Sequence, residues 1–274
     1  MCLIVFAWQP DAAHSLVVAA NRDEWRERPT ARLHWWDHEP ARSDSEYSQP
    51  LHCDYSPGQA RTGILAGRDL KDGGTWMGVT ASGRFAALTN FRDPRNVKPG
   101  APSRGALVRA FLEGNVSPCE YLQSLAERMA DFNGFNLLVG DRDELWWVSN
   151  RGGAPMAVTP GVHGLSNGLL DEQWPKVARA KERLTDALEH DSGDDALWAL
   201  LADDAAAPDD ELPDTGVGLD WERRLSPALI RGDHYGTRSS ALLRVFADGR
   251  LRLSERTCGG DCGDADSEAG VVAT

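Results

Sequence analysis

The sequence predicts an α+β fold in which two mostly antiparallel β-sheets carry helices stacked on their outer faces. Three observations lead there. Short apolar runs come as hairpin couples around turn residues; two helix signatures separate one strand group from the next, and two more follow it; and the strand-helix-strand alternation of a parallel sheet is missing. With 274 residues, 41% of them hydrophobic, the chain can bury a sizeable core. We expect one domain over residues 1–257 and a flexible tail over residues 258–274, where Gly, Asp, Ser and Ala dominate.

The first hairpin comprises the apolar runs 2–8 and 15–20 around "QPDAAH". Pairing about the middle of that loop sets positions summing to about 23 face to face, which puts Cys2 opposite Asn21 within a slip of two residues. Residues 26–72 give no firm element beyond "TGILAGRDL", a short strand, and "LHWWDH" reads as a packed aromatic loop. His34 and His38 lie four apart there, but without a helix that spacing does not make a metal site. A second hairpin joins 75–80 to 84–91 through "ASG", with Gly83 at the position that needs a positive φ.

Helices follow over 103–114 and 117–134. The second has Ser117 as N-cap, Pro118 in the first turn and Glu120 to close a capping box. Strands resume at 134–141, 144–150 and 154–160, then helices at 175–189 and 195–204. The acidic stretch 205–222 reads as a mobile surface loop, and 235–256 as a last hairpin turning at Asp248 and Gly249.

Composition narrows the partners. The 42 acidic and 29 basic side chains give a net charge of −13, and the basic ones are scattered, which argues against a nucleic acid. No apolar run approaches the roughly 20 residues of a membrane span, and no secretory signal begins the chain. Five dispersed cysteines suit a reducing compartment, so we expect a cytoplasmic protein with a small-molecule ligand or substrate and no metal.

Cys2 is the first residue with chemical interest. A small second residue permits removal of Met1, which would leave a thiol and an α-amine of pKa about 7.7–8.0 on one residue, a nucleophile with its own base. Cys2 also reads as an ordinary buried strand residue. Beside it the end of the second strand carries Asn21, Arg22, Asp23, Glu24 and Trp25, where Arg22 can lower the thiol pKa or orient a carboxylate and an acid can hold the α-amine. Surface charges at such a turn commonly pair among themselves. Asn90, Asn136 and Asn167 are amides able to donate to an oxyanion, or to serve as turn residues.

Met1-Cys2, "AANRDEW", "TWMGVTASGRFAALTNFRD", "FNGFNLLVGD", "HGLSNGLLDEQWPKV" and "YGTRSSALL" together resemble the NRDE family, the transport and Golgi organisation protein 2-like proteins. Those proteins are in turn similar to N-terminal nucleophile hydrolases of the choloylglycine hydrolase and penicillin acylase group. The resemblance implies a four-layer αββα sandwich with Cys2 as nucleophile. It implies supporting roles for Arg22 with Asp23 or Glu24, oxyanion donation by Asn90 or Asn167, and a late-strand arginine at Arg238. The hydrolases carry Arg-Asn-x-Asp at the strand end, whereas this chain carries Asn21-Arg22-Asp23-Glu24. Since neighbouring strand residues face opposite ways, the order decides which side chain meets the thiol.

Two functions fit. One is a thiol-dependent hydrolase of a C–N amide bond in a small molecule, or a related acyl transferase, with no cofactor. The other is a non-catalytic carrier of haem or of an acyl-CoA or lipid, in which Arg22 and Arg238 clamp an acidic group and Asn21, Trp25 and Asn136 border the ligand.

Overall fold

Alternation along the strands builds the layers. In a computed structural model, which describes residues 2–36 and 63–258 and the backbone of 266–269, thirteen described strands form two antiparallel sheets. The first runs β10-β1-β2-β11-β12-β13 and the second β3-β4-β5-β6-β7-β8-β9. β1 (Cys2–Trp8) and β2 (His14–Trp25) are buried on both faces, as continuous apolar runs require. Their even residues Ile4, Phe6, Leu16, Val18 and Ala20 meet Leu65, Val79, Ala87 and Leu138 of the second sheet. Their odd residues Leu3, Val5, Val17 and Ala19 pack on Val177, Ala180 and Leu184 of α3 (Pro175–Glu189) and on Leu200 and Leu201 of α4 (Gly193–Leu201).

The second sheet is covered on its far side by α1 (Gly105–Glu113) and α2 (Pro118–Leu125), whose Val108, Phe111 and Leu122 pack on Leu137, Val139 and Val148. The layers are therefore helix, sheet, sheet, helix, and the two helix pairs anticipated from the sequence sit on opposite faces. β5 (Met77–Thr80) and β6 (Phe85–Asn90) form the expected hairpin with Gly83 at φ 90°. The Ser117–Glu120 capping box is present. β4 (Ile64–Asp69), β7 (Phe135–Gly140), β8 (Leu145–Ser149), β11 (Tyr235–Phe246) and β12 (Leu251–Thr257) also lie where the pattern set them.

Several stretches differ from expectation. "LHWW" is part of a strand, β3 (Thr30–Trp36), because β4 supplies a partner that local composition does not reveal. β9 (Met156–Ala157) shrinks to two residues and a separate strand, β10 (Gly161–Leu165), crosses to pair with β1. The acidic stretch 205–222 contains a 3-10 turn at Asp209–Glu211 and the start of α5 (Leu219–Leu225). There Glu222 is buried 2.5 Å from Arg92 and accepts from the Thr215 backbone N–H and hydroxyl, so a carboxylate that reads as solvated docks the helix. In the stretch expected to be tail, β13 (Asp266–Ala269) pairs with β12, and Cys258 is buried and disulfide-bonded. His38, Cys53 and Cys262 lie outside the described residues. Among the described residues no helix is long and apolar enough to cross a membrane.

The space between the sheets should dominate stability. Replacing Phe6, 1% exposed and stacked on the His163 ring, by Ala should cost about 3–5 kcal/mol in denaturant unfolding. Val97→Ala, at a residue 63% exposed, should stay within about 0.5 kcal/mol of wild type in the same measurement.

Candidate active site

The parity that fills the core also opens a cleft at its end. Along the inter-sheet face β1 reads Trp8, Phe6, Ile4 and then Cys2, while β2 reads Leu16, Val18, Ala20 and then Arg22 and Glu24. β11 changes from Leu243 and Ala241 to Ser239, and β12 from Leu251 and Leu253 to Glu255. The apolar members belong to the core, and their polar successors line a cleft of about 240 Å³. Cys2 thus stands where hydrophobic packing stops.

Register then fixes its neighbours. Cys2 pairs with Arg22, and Arg22 pairs with Ser239 on its other side. The hairpin is offset by one residue from the expected Cys2–Asn21 pairing, which moves Asn21 opposite Leu3. Arg22 is 7% exposed, its Nη2 lies 3.8 Å from Glu24 Oε2, and its Nη1 is buried without a hydrogen-bond partner among the described residues. Burial pushes the Cys2 thiol above its ordinary pKa and the Asp23 carboxylate adds to this; the Arg22 charge and the Asp23 backbone N–H pull the other way without reversing it. The Arg22 cation thus offsets part of the cost that burial puts on a thiolate here.

Asn21 and Asp23 face the helices instead. Asn21 Nδ2 donates to Leu201 O at 2.9 Å and Ala228 O at 2.8 Å, and its Oδ1 accepts from Ser240 Oγ at 2.6 Å. It bolts β2 to the helical layer and does not line the cleft. Asp23 is 1% exposed, accepts from Thr237 Oγ1 at 2.7 Å and borders the cleft wall. Burial raises its carboxyl pKa, opposed by the charge of Lys176. Lys176, 2% exposed at the start of α3, donates from Nζ to Leu225 O at 3.0 Å, and burial lowers its amine from 10.5 to about 8. Of the two acids, Glu24 shares the face of Arg22 and Cys2.

The amides divide in the same way. Asn90, ending β6, lines the cleft. Asn167 is fully buried behind it, and its Nδ2 holds Asn90 O at 2.8 Å, while Arg92 N donates to Asn167 O at 2.7 Å. Asn136 is also fully buried, donating to Thr89 Oγ1 at 3.0 Å and Gly168 O at 2.8 Å. Arg238 sits at a bulge in β11, and its Nη1 donates to the carbonyls of Trp25, Arg26 and Arg28 at 2.9–3.0 Å, so it clamps the turn after β2. Trp25 is half exposed and meets Tyr235 edge-on at 5.3 Å. The cleft therefore gathers Cys2, Arg22, Asp23, Glu24 and Asn90 and leaves Asn21, Asn136, Asn167, Arg238 and Trp25 in supporting positions around it.

Several lining residues escaped the sequence reading. Glu255 accepts from Leu33 N at 2.9 Å and has its carboxyl pKa raised by burial. The alternation Leu251, Leu253, Glu255 is a signal that could have found it. Trp76, Arg104 and Ser239 carry no comparable local mark. Arg104 precedes α1, donates from Nη1 to Gly134 O at 2.9 Å, and reaches the cleft only through tertiary packing.

Known proteins are similar in sequence along nearly the whole chain. A sequence profile described as "Transport and Golgi organisation 2" matches residues 1–43 and 48–260. Transport and Golgi organization protein 2 homologs of Bos taurus and Homo sapiens are each 32% identical over 94% of this chain and 93% of their own, and that of Mus musculus is 31% identical over the same shares. Among solved structures, the mutant C2A conjugated bile acid hydrolase from Clostridium perfringens aligns with a TM-score of 0.49 and 9% identity, covering 100% of this chain and 98% of that one.

Lys176 gives the site a pH signature. Between about 8 and 10.5 the unfolded chain holds a proton on Lys176 that the folded chain lacks, so raising the pH through this window favours folding. Urea midpoints of wild type and Lys176→Met, taken at pH 8 and pH 10, should show wild type gaining on the variant as the pH rises.

Proposed function

Because the chain belongs to the Transport and Golgi organisation 2 family and carries Cys2 at the end of its inter-sheet core, we propose that it is a cysteine N-terminal nucleophile hydrolase acting on the C–N amide bond of a small molecule. The pairing of Cys2 with Arg22, whose Nη1 is buried and has no hydrogen-bond partner among the described residues, carries this reading. A cation held against a thiol by strand pairing favours the thiolate without any approach of a mobile side chain.

Removal of Met1 frees the α-amine of Cys2. That amine takes the thiol proton as sulfur attacks the amide carbonyl carbon, and delivers it to the nitrogen as the C–N bond breaks and the amine leaves. Water then attacks the thioester carbon, the amine again holding the proton, and the carboxylic acid departs with the thiol restored. Asn90 is the side-chain amide suited to the oxyanion, since Asn167 holds its backbone in place. Trp76 and Leu88 offer an apolar wall for an acyl group. Glu24 shares its charge between Arg22 and Arg28, at 3.8 and 3.9 Å, and so keeps the guanidinium of Arg22 beside the thiol.

The second reading, a carrier of haem or of an acyl-CoA or lipid, draws on the same arginines for an acidic group. For haem, the described lining offers Cys2 but neither imidazole nor thioether as an iron ligand. We therefore rank it below the hydrolase.

A panel of N-acyl amides assayed with wild type and Cys2→Ala tests the proposal. We expect turnover by wild type and a loss of at least about 10³-fold in the variant, as removal of a covalent nucleophile does. Equal rates in the two proteins, or turnover by neither, would contradict it.

A further inference from the structure

The cleft is arginine-rich in a chain of net charge −13, and its arginines are not equally supplied with counter-charges. Arg28 takes Asp69 at 2.5 Å and Asp72 at 2.6 Å, with Glu24 at 3.9 Å. Asp23 accepts from Thr237, and Glu255 accepts from the Leu33 backbone. These are the five carboxylates of the described lining, and each is already engaged.

Arg104, which lines the cleft, has no carboxylate within ion-pair distance among the described residues, and its one hydrogen bond there is to the Gly134 carbonyl. Lining the same space, Arg22 has among the described residues one acid, at 3.8 Å, and a buried Nη1 with no hydrogen-bond partner. A guanidinium withdrawn from water and left short of acceptors is costly unless a ligand completes it. The arginine expected to share this task, Arg238, has its Nη1 committed to three backbone carbonyls.

We infer that Arg104 and Arg22 together form an anion subsite in the cleft, and that the small molecule presented to Cys2 bears a carboxylate held there. The inference deepens the proposed function and rests on it only for the reaction at Cys2; binding of the anion needs no catalysis. Planar guanidinium groups pair with carboxylate through two parallel N–H donors, which fixes orientation as well as charge. The subsite thus sets which end of the substrate faces the thiol. Arg104 makes no bond to the reacting carbonyl in this scheme, so it governs specificity.

Alkylation of Cys2 in the full-length protein tests this with two small probes. Iodoacetate and iodoacetamide both form a carbon–sulfur bond and release iodide, but only the first carries a carboxylate. The ratio of their rates at Cys2, read by peptide mass, should fall roughly tenfold in Arg104→Gln, the loss of one charge-assisted pair, and fall by less in Arg104→Lys, which keeps the charge but not the paired donors. Inorganic phosphate, as a competing oxyanion, should slow carboxymethylation of wild type and raise its melting temperature, with no such rise in Arg104→Gln. An unchanged ratio in Arg104→Gln overturns the subsite, as does a wild-type melting temperature insensitive to phosphate. Should Arg104→Gln fail to fold, the ratio in Arg104→Lys and phosphate melting of wild type decide the matter. A Cys2 inert to both reagents would remove the nucleophile while leaving the phosphate response to decide the anion site, so the two readings fail separately.

Discussion

The pleat of β1 and β2 is the constraint on which the rest depends. Because side chains alternate across a strand, an unbroken apolar run must find cover on both faces, and here the second sheet covers one face while α3 and α4 cover the other. The same alternation continues past the end of the core, where even positions become Cys2, Arg22 and Glu24, and odd ones Asn21 and Asp23. A one-residue slip would exchange those sets, putting Arg22 into the helical layer and Asn21 against the cleft. Asn21 resists such a slip: its bonds to Leu201, Ala228 and Ser240 exist only in the observed register.

That interlock joins stability to chemistry. Arg22 need not reach for Cys2, since backbone pairing brings the two together, and the surrounding packing pays the cost of keeping a guanidinium away from water. Behind the strand, Asp23, Lys176, Arg92 and Glu222 put alternating charges into a buried layer, where each is held by hydrogen bonds. Arg92, held by Glu222 of α5, also donates to Asn167 Oδ1 at 3.5 Å, and Asn167 holds the carbonyl of Asn90 at the cleft.

Much of this was legible in the sequence. Apolar runs, the capping box of α2 and paired helix signatures yield the sandwich, and the first hairpin brings "NRDE" beside Cys2 to within one residue. Parity was harder to read because the loop from Gln9 to Ala13 does not by itself fix the register. β3 and β10 were missed because their partners are distant in sequence, and α5 because Glu222 looks solvated until Arg92 is beside it. Arg104 and Trp76 come to the cleft from the segments leading into α1 and β5, so no local pattern marks them, whereas Asn136, Asn167 and Arg238 are polar residues whose bonds to backbone could be known only from the packed structure.

A thiol beside a cation is common to many proteins; a thiol and an α-amine on the same residue at the edge of a cleft is a more specific device, and the proposed mechanism depends on it. The mass of the intact purified protein tests it most directly. The N-terminal nucleophile mechanism predicts a chain that begins at Cys2, lighter than the full sequence by one methionine. A mature chain that still carries Met1 would leave Cys2 without its base and would contradict the N-terminal nucleophile mechanism.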